Sequence, residues 1–263
     1  MSLTLDIAAT GMAAQELNVN TISNNIANMT TTGYKRQRAE FQDLLYQTII
    51  PPGSTSSDTN TVVPSGIQEG LGVKTGSLYR IDQQGALEQT SNNFDVANQG
   101  AGFFQVLMPD GTTSYTRDGS FQLNQSGQLV TSQGYLVQPN ITIPTNAVSV
   151  NINPAGQVLV TIAGQTVPSN VGQIQLAVFP NNAGLNALGN NLFGVTQASG
   201  AAVTGNPGST GYGTLQQGFL ESSNVDVVSE ITNLIQAQRA YEMNSKVIQA
   251  GDQMLSTLTS LTA

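Results

Sequence analysis

The sequence predicts an α+β protein in which two long terminal helices flank a central, antiparallel β-rich domain. The first thirty and the last forty residues follow the periodicity of amphipathic helices, and the stretch between them alternates short apolar runs with turn residues. We expect residues 1–45 and 216–263 to form a coiled-coil-like terminal domain. Residues 46–77 are predicted as an extended linker or hairpin insertion, and residues 78–215 as a β-rich outer domain.

The first helix is predicted from about Leu3 to Met29. Apolar residues recur there at alternating steps of three and four, which is the spacing of a coiled-coil seam, with one polar break at Gln15. Three consecutive threonines and then Gly33 favour an end near Asn28. The members of this seam that we expect at an assembly interface are Leu5, Met12, Val19, Ile22 and Ile26.

The second helix is predicted to begin after Ser223 and Asn224, whose side chains are typical of helix caps, with Asp226 placed as in a capping box. It repeats the same alternating steps, although the seam includes Gln238, Ser245 and Asp252 and is therefore not a plain leucine zipper. Its expected interface residues are Val227, Ile231, Leu234, Tyr241, Ile248 and Leu255.

The apolar stripes on the two helices can be buried in two ways. The helices can pair within one chain or pack on the middle domain, or they can be buried between subunits. Periodicity alone does not separate these alternatives. A single helix pair shares only one seam and leaves the flanking apolar residues in water, which favours assembly.

The central region carries the turn signals of an antiparallel β domain. Two similar turns, which begin at Asn124 and Asn153, have Gly at the fourth position and are predicted to be hairpin tips. Strands are expected at residues 103–107, 115–123, 135–137, 141–143, 148–152 and 174–179, and residues 184–213 are expected to form a loop with a brief strand near 192–195. Residues 47–75 are rich in Pro, Gly, Ser and Thr, which favours a flexible linker, although Val62, Val63 and Ile67 leave room for a short hairpin.

Composition excludes several functional classes. The net charge of −8 and the absence of a basic stripe argue against nucleic acid as a partner. Without His or Cys, the chain has no base for a serine nucleophile and no typical ligand for a transition metal, so we expect no catalytic, cofactor-binding or metal-binding residues and no small-molecule substrate. Since no stretch resembles a cleaved secretory leader, export is expected by a route without one.

Motifs at both ends of the chain resemble those of bacterial flagellar rod and hook proteins. The N-terminal motif includes Asn24, Asn25, Asn28, Thr32, Gly33 and Tyr34, and the C-terminal motif includes Gln238, Arg239, Tyr241 and Asn244. Residues 95–104 and 115–121 resemble the central domain of the same family. The chain's length and the insertion at 47–73 resemble those of the distal rod members. Met29 and Thr30 depart from the family pattern, in which a small apolar residue and then an Asn-Thr pair are usual.

The resemblance implies a structural role rather than catalysis. Family members stack into a helical tube whose terminal helices surround a central export channel, with the β domain outside, and the tube transmits torque to the hook. The implied partners are other copies of the chain, proximal rod proteins, the hook protein, the surrounding bushing rings and the flagellar export apparatus. The implied location is the basal body, where the rod spans the periplasm. The first alternative from the residues alone is a secreted β-rich adhesin or binding module with helical oligomerisation ends. The second is a glycosidase, since spatial pairing of two carboxylates is not visible in a sequence.

Overall fold

The computed structural model describes residues 3–53, 65–165 and 167–262 and confirms the α+β class. The helices are α1 (Leu3–Ala27) and α2 (Val227–Thr262). The strands are β1 (Gln37–Asp43), β2 (Tyr46–Ile50), β3 (Ile67–Gly70), β4 (Val73–Arg80), β5 (Leu87–Gln89), β6 (Val96–Gln99), β7 (Phe103–Leu107), β8 (Thr113–Thr116), β9 (Phe121–Leu123), β10 (Leu129–Thr131), β11 (Leu136–Gln138), β12 (Ala147–Ile152), β13 (Gln157–Ile162), β14 (Ser169–Gln173), β15 (Leu176–Val178), β16 (Asn186–Gly189), β17 (Leu192–Gly194), β18 (Val203–Gly205), β19 (Thr214–Gln217) and β20 (Phe219–Glu221).

The chain folds into two compact units. Unit 1 contains the residues up to Ile26, residues 37–79 and the residues from Val227 onward, and unit 2 contains residues 27–36 and 80–226. This division differs from the sequence prediction in two places. The segment predicted as a separate insertion lies in the same unit as the helices, and residues 27–36 and 216–226 lie with the β domain, where hydrogen bonds described below hold them.

Unit 1 combines the two helices with four strands. The helix α1 ends at Ala27, two residues before the predicted end, and a turn follows it. Strand β1 pairs with β4, and β2 pairs with β3 in an antiparallel hairpin. Tyr46–Ile50 and Ile67–Gly70 thus form a hairpin within the described part of the predicted linker. Val62 and Val63 lie outside the described residues.

Unit 2 is built around a nine-stranded sheet with the order β16-β17-β8-β7-β11-β10-β9, to which β15 and β18 attach beside β7. A three-stranded sheet, β12-β13-β14, and the pairs β19-β6 and β20-β5 complete the unit. Its main core is aliphatic and aromatic, and Phe104 and Phe121 meet edge to face there with ring centroids 5.1 Å apart. A smaller core gathers Phe103, Tyr115 and Phe179.

The two turns that the sequence singles out have the same hydrogen bonds. The Gln128 amide donates to the Asn124 side-chain oxygen at 2.9 Å, and the Gln157 amide donates to the Asn153 side-chain oxygen at 2.8 Å. In each turn the Asn side-chain amide then donates to the side-chain oxygen of the Gln at 2.9 Å. Both predicted hairpin tips are confirmed, because the turns join β9 to β10 and β12 to β13.

Three strand predictions were incomplete. Residues 115–123, predicted as one strand, contain the end of β8 and all of β9, with a bend at Arg117 between them. Residues 141–143 form only an isolated bridge, between Gln128 and Thr142, because the backbone there bonds to the first hairpin instead of extending a ladder. The segment 184–213, predicted as loop with one brief strand, holds β16, β17 and β18. Its many Gly and Asn residues supply the turns between those strands, and Asn190 and Asn191 both adopt positive φ at the β16–β17 turn.

Candidate assembly site: the helix pair and the motif segments

The two helices of unit 1 run antiparallel along each other. Asn25 of α1 donates to the Glu230 carboxylate near the start of α2 at 3.3 Å, and Gly11 faces the side chain of Asn244. Near the other end, Gly251 of α2 lies against Leu5. Residue numbers therefore increase along α1 as they decrease along the facing part of α2, as in an antiparallel pair. The helices pair within one chain, which is one of the two alternatives that the sequence left open.

Small residues allow the helices to approach closely. A Cβ atom added at Gly11 would lie 2.8 Å from the Asn244 side-chain nitrogen, and one added at Gly251 would lie 2.9 Å from a methyl carbon of Leu5. Glu230, Ala237, Asn244 and Gly251 are spaced seven residues apart, and the first, second and fourth are buried. The contact line on α2 thus follows small and polar residues rather than the large apolar ones.

The interface residues predicted from the sequence differ in how far they are buried in unit 1. In α2, Val227, Leu234 and Ile248 are half-buried, whereas Ile231, Tyr241 and Leu255 are exposed. In α1, Ile22 is buried, and the other four predicted residues, Leu5, Met12, Val19 and Ile26, are half-buried.

The outer face of α2 carries an apolar stripe. Val228, Ile231 and Ile235, spaced by three and four residues, are 75%, 46% and 45% exposed. Met243, Val247 and Met254 are also exposed, further along α2 and beyond the exposed Arg239 and Glu242. A shallow groove of about 400 Å³ also opens between the helices beside Val19 and Tyr241. Large apolar side chains that are so exposed and so closely spaced on one helix are typical of an interaction site, and the face of Val228, Ile231 and Ile235 has this character.

Asn25 of the N-terminal motif joins three elements of unit 1. Its side-chain amide donates to the Gln37 carbonyl at 2.8 Å, and its side-chain oxygen accepts from the Gln37 amide at 2.9 Å. The same side chain contacts Glu230, so it connects α1, the start of β1 and α2 while remaining buried. Of the other motif asparagines, Asn24 is exposed, and Asn28 accepts from the Thr31 hydroxyl in the turn after the helix.

The later part of the N-terminal motif binds along unit 2. The Asn191 side chain donates to the Thr32 carbonyl at 3.2 Å, and the Gly33 amide donates to the Glu221 carbonyl at 2.7 Å. Gly33 has φ +67°, and a Cβ atom there would lie 2.9 Å from the carbonyl carbon of Arg117. The motif therefore requires glycine at this position for both its conformation and its close contact.

Behind this segment lies a buried ionic group, the Glu221 clamp, formed by Lys35, Gly85, Arg117, Glu221 and Asn224. The Glu221 carboxylate accepts from the Lys35 ammonium, from the Gly85 amide at 3.0 Å and from the Arg117 guanidinium at 3.5 Å. All three ionic side chains are almost completely buried. Burial lowers the pKa of Lys35, and Glu221 opposes that change; burial likewise lowers the pKa of Arg117.

Asn224 extends the clamp and has a different role from the predicted helix cap. Its side-chain oxygen accepts from the Arg36 amide at 2.7 Å, and its side-chain amide donates to the Ile81 carbonyl at 2.8 Å. The Ile81 amide in turn donates to the Arg36 carbonyl at 2.9 Å. Every segment by which the chain enters or leaves unit 2 is therefore bonded to another such segment inside that unit.

The C-terminal motif lies on α2. Gln238, Arg239 and Tyr241 are exposed, and Asn244 faces Gly11. Sequence patterns did not predict Lys35, Arg117 or Glu221 as members of a buried site, and they indicated Asn224 only as a helix cap. The low charge content could have indicated these residues: only 9% of the chain is charged, so each ionic side chain is a candidate for a specific structural contact.

Two kinds of site are absent from the described ranges, residues 3–53, 65–165 and 167–262. Among those residues, no three His, Cys, Asp or Glu side chains converge in a way that could hold a metal ion. Neither α1 nor α2, as far as they are described, contains a segment long and apolar enough to span a lipid bilayer.

Comparison with known families and proteins gives matches along the whole chain. Residues 5–35 match the family "Flagella basal body rod protein", residues 97–160 match "Flagellar hook protein FlgE/F/G D1 domain", and residues 216–261 match "Flagellar basal body rod FlgEFG protein C-terminal". The chain is 59% identical to the flagellar basal-body rod protein FlgG of Caulobacter vibrioides, with 98% of each chain covered. It is 52% identical to FlgG of Buchnera aphidicola subsp. Schizaphis graminum, with 97% and 98% covered, and 40% identical to FlgG of Bacillus subtilis, with 95% and 96% covered.

Proposed function

Since this chain belongs to the FlgG family of flagellar basal-body rod proteins and is a structural subunit of the rod, we propose that it polymerises through its helices into a tubular drive shaft. In this proposal the helices of unit 1 form the inner layer around an export channel, and unit 2 forms the outer layer. The chain acts through assembly and torque transmission and has no catalytic role.

The observation that carries the proposal is the apolar stripe of α2. The intramolecular pair buries the small-residue line and leaves Ile231, Ile235 and their neighbours exposed. A surface that one subunit does not cover and that repeats identically on every copy favours heterologous contacts, which extend into helical filaments when they do not close into a ring. Among the interface residues predicted from sequence, Ile231, Tyr241 and Leu255 are the exposed members that this contact would bury.

The hairpin β2–β3 supports a second contact between subunits. Leu45, Tyr46, Ile49 and Ile67 are exposed on or beside it. A two-stranded hairpin is only marginally stable in water by itself, and exposed apolar side chains of this kind are typical of a surface that another molecule covers. We propose that this hairpin and the rest of the insertion at residues 46–77 brace adjacent subunits and stiffen the rod.

The proposed neighbours of this chain are other rod proteins and the hook, and its proposed location is the basal body. The subunit occupies the distal part of the rod, between proximal rod proteins and the hook, and rotates within the bushing rings where the rod crosses the periplasm. It reaches that site through the flagellar export apparatus without cleavage of a signal peptide. The family membership supports these points.

Replacing Ile235 by Asp tests the helix contact. The side chain is 45% exposed, so unit 1 should fold, while a carboxylate in the buried subunit contact should prevent rod formation. Gln236→Asp adds the same charge at an adjacent exposed polar position and is the matched control. Electron microscopy of isolated basal bodies counts complete rods. Complete rods at normal frequency in the Ile235→Asp strain would contradict the proposed contact, and a discrete soluble oligomer would favour the binding-module alternative.

A further inference from the structure

The formal charges of this chain are distributed very unevenly. All sixteen Asp and Glu residues and all eight Lys and Arg residues lie outside the run from Gly119 to Leu220. That run supplies most of unit 2, so a large part of the surface of this unit consists of amides, hydroxyls and aliphatic side chains. Contacts made by such a surface gain nothing from ion pairing and lose nothing to like-charge repulsion.

A groove of about 330 Å³ opens in this uncharged region of unit 2. Its walls include Leu123 at the end of β9 and Val148 on β12, and Phe94 and Ile143 also line it. Val148 is 70% exposed, and Leu123 is also exposed. Among the residues that line the groove none is charged, and the adjacent Asp95 is buried and accepts a hydrogen bond from Asn92 at 2.9 Å.

The groove lies beside an edge strand. Strand β12 pairs only with β13 in its sheet, and on its other side the Gln217 side chain accepts from the Ile152 amide and donates to the Val150 carbonyl. This side chain occupies the edge near the end of β12 but does not reach Val148. The groove thus combines exposed apolar side chains with a stretch of strand edge. Surfaces of this kind commonly bind an extended segment of a partner, which adds to the sheet as a further strand.

We infer that this groove takes a second copy of this chain, an inference that rests on the proposed polymerisation and names a contact within it. Identical copies with a net charge of −8 repel one another, and like charges placed together at an interface cost several kcal/mol. A contact between copies is therefore best made where neither copy carries charge, and the run from Gly119 to Leu220 is such a surface. A partner with a basic or acidic surface would find no complementary charge in the groove.

Because the sequence contains no cysteine, a single introduced thiol reports on this surface without background. Val148→Cys places the thiol in the groove. Leu188→Cys is the control: the Leu188 side chain is 51% exposed and lies on β16, at the opposite edge of the nine-stranded sheet from β9. The reaction rate of each thiol with a maleimide is measured on the full chain as a monomer and in basal bodies isolated with complete rods.

We expect the V148C thiol to react about tenfold or more slowly in the rod than in the monomer, because reaction then needs local opening of the contact. The L188C thiol should change far less. Between about 0.01 and 1 M salt the Debye length falls from about 30 to 3 Å, and the protection of the V148C thiol should stay within about twofold because no charge contributes to it. Equal rates for V148C in monomer and rod, or protection that falls steeply with salt, would overturn the inference.

A photoactivatable benzophenone attached to the V148C thiol identifies the occupant. Cross-links to another copy of this chain support the inference, and cross-links mainly to a different protein overturn it. This result is separable from the helix contact. If the Ile235→Asp strain forms complete rods while the V148C thiol is protected by another copy, the proposed helix contact fails and the groove contact stands.

Discussion

Replacing Glu221 by Ala tests the Glu221 clamp most directly. The carboxylate is fully buried and accepts hydrogen bonds from Lys35, Gly85 and Arg117. Its removal leaves two buried cations without their carboxylate partner, although each still donates to a backbone carbonyl, and it leaves the Gly85 amide without its side-chain acceptor. Loss of one partner from a buried ion pair costs about 3–5 kcal/mol, largely because the remaining charge cannot be hydrated. We therefore expect the free energy of unfolding of unit 2 to fall by about that amount.

A double-mutant cycle separates the ion pair from simple packing. Lys35→Met should cost less than Glu221→Ala, because Glu221 keeps its contacts with Arg117 and Gly85 and because the desolvation of the buried ammonium, which lowers the pKa of Lys35, is relieved. Combining Lys35→Met with Glu221→Ala closes the cycle and should cost less than the sum of the two single changes, because the ammonium that Glu221→Ala leaves unpaired is then absent.

The assay is urea unfolding followed by near-ultraviolet circular dichroism, in which Tyr115 reports on the smaller core of unit 2. The midpoint and the slope are compared between variants. If Glu221→Ala lowers the free energy of unfolding by less than about 1 kcal/mol, the value typical of an exposed pair, the clamp does not hold unit 2 as described.

Three further predictions concern single side chains. Burial raises the pKa of Tyr115 above 10.0, so its contribution to stability is complete below that pH and is lost as the pH rises through the folded-state pKa; Tyr115→Phe should flatten this alkaline loss in pH-dependent urea unfolding. Gly33→Ala should destabilise more than Gly134→Ala, since both positions have positive φ but only Gly33 lies against another backbone segment, and their unfolding midpoints give the difference. Asn25→Leu should cost about 2–4 kcal/mol and speed hydrogen exchange at the Gln37 amide, because it removes two buried hydrogen bonds; unchanged exchange would refute the proposed link between α1 and β1.

The sequence predicts the elements of this protein well where the signal is local. Each helix is specified by its own periodicity, and each of the two hairpin tips by an Asn that bonds to the Gln four residues later. The family motifs are local too, and they point to the rod and hook proteins before any contact is known. These features depend on residues within about one or two turns of each other, so neighbouring positions are enough to indicate them.

The tertiary structure decides what the helical periodicity leaves open. On α2 the predicted seam residues Leu234 and Ile248 are half-buried, but the contact line with α1 follows Ala237, Asn244 and Gly251. Large apolar residues define an apolar stripe on a helix, whereas small residues determine how closely two helix backbones can approach. Which face of α2 contacts α1 is therefore known only once the position of the partner helix is known. For that reason Ile231 and Tyr241 remain exposed although their spacing matched the seam.

The Glu221 clamp is a second feature that depends on the tertiary structure. Lys35 and Glu221 are 186 positions apart, and nothing in the residues beside either one indicates the other. A buried carboxylate is stable only when cations and amides converge on it, and that convergence exists only after the strands of unit 2 have formed. The sequence by itself thus determined the class, the helices and the family of this chain, while folding decided which helix face stays free and which distant charges meet, because both depend on partners that are distant in sequence.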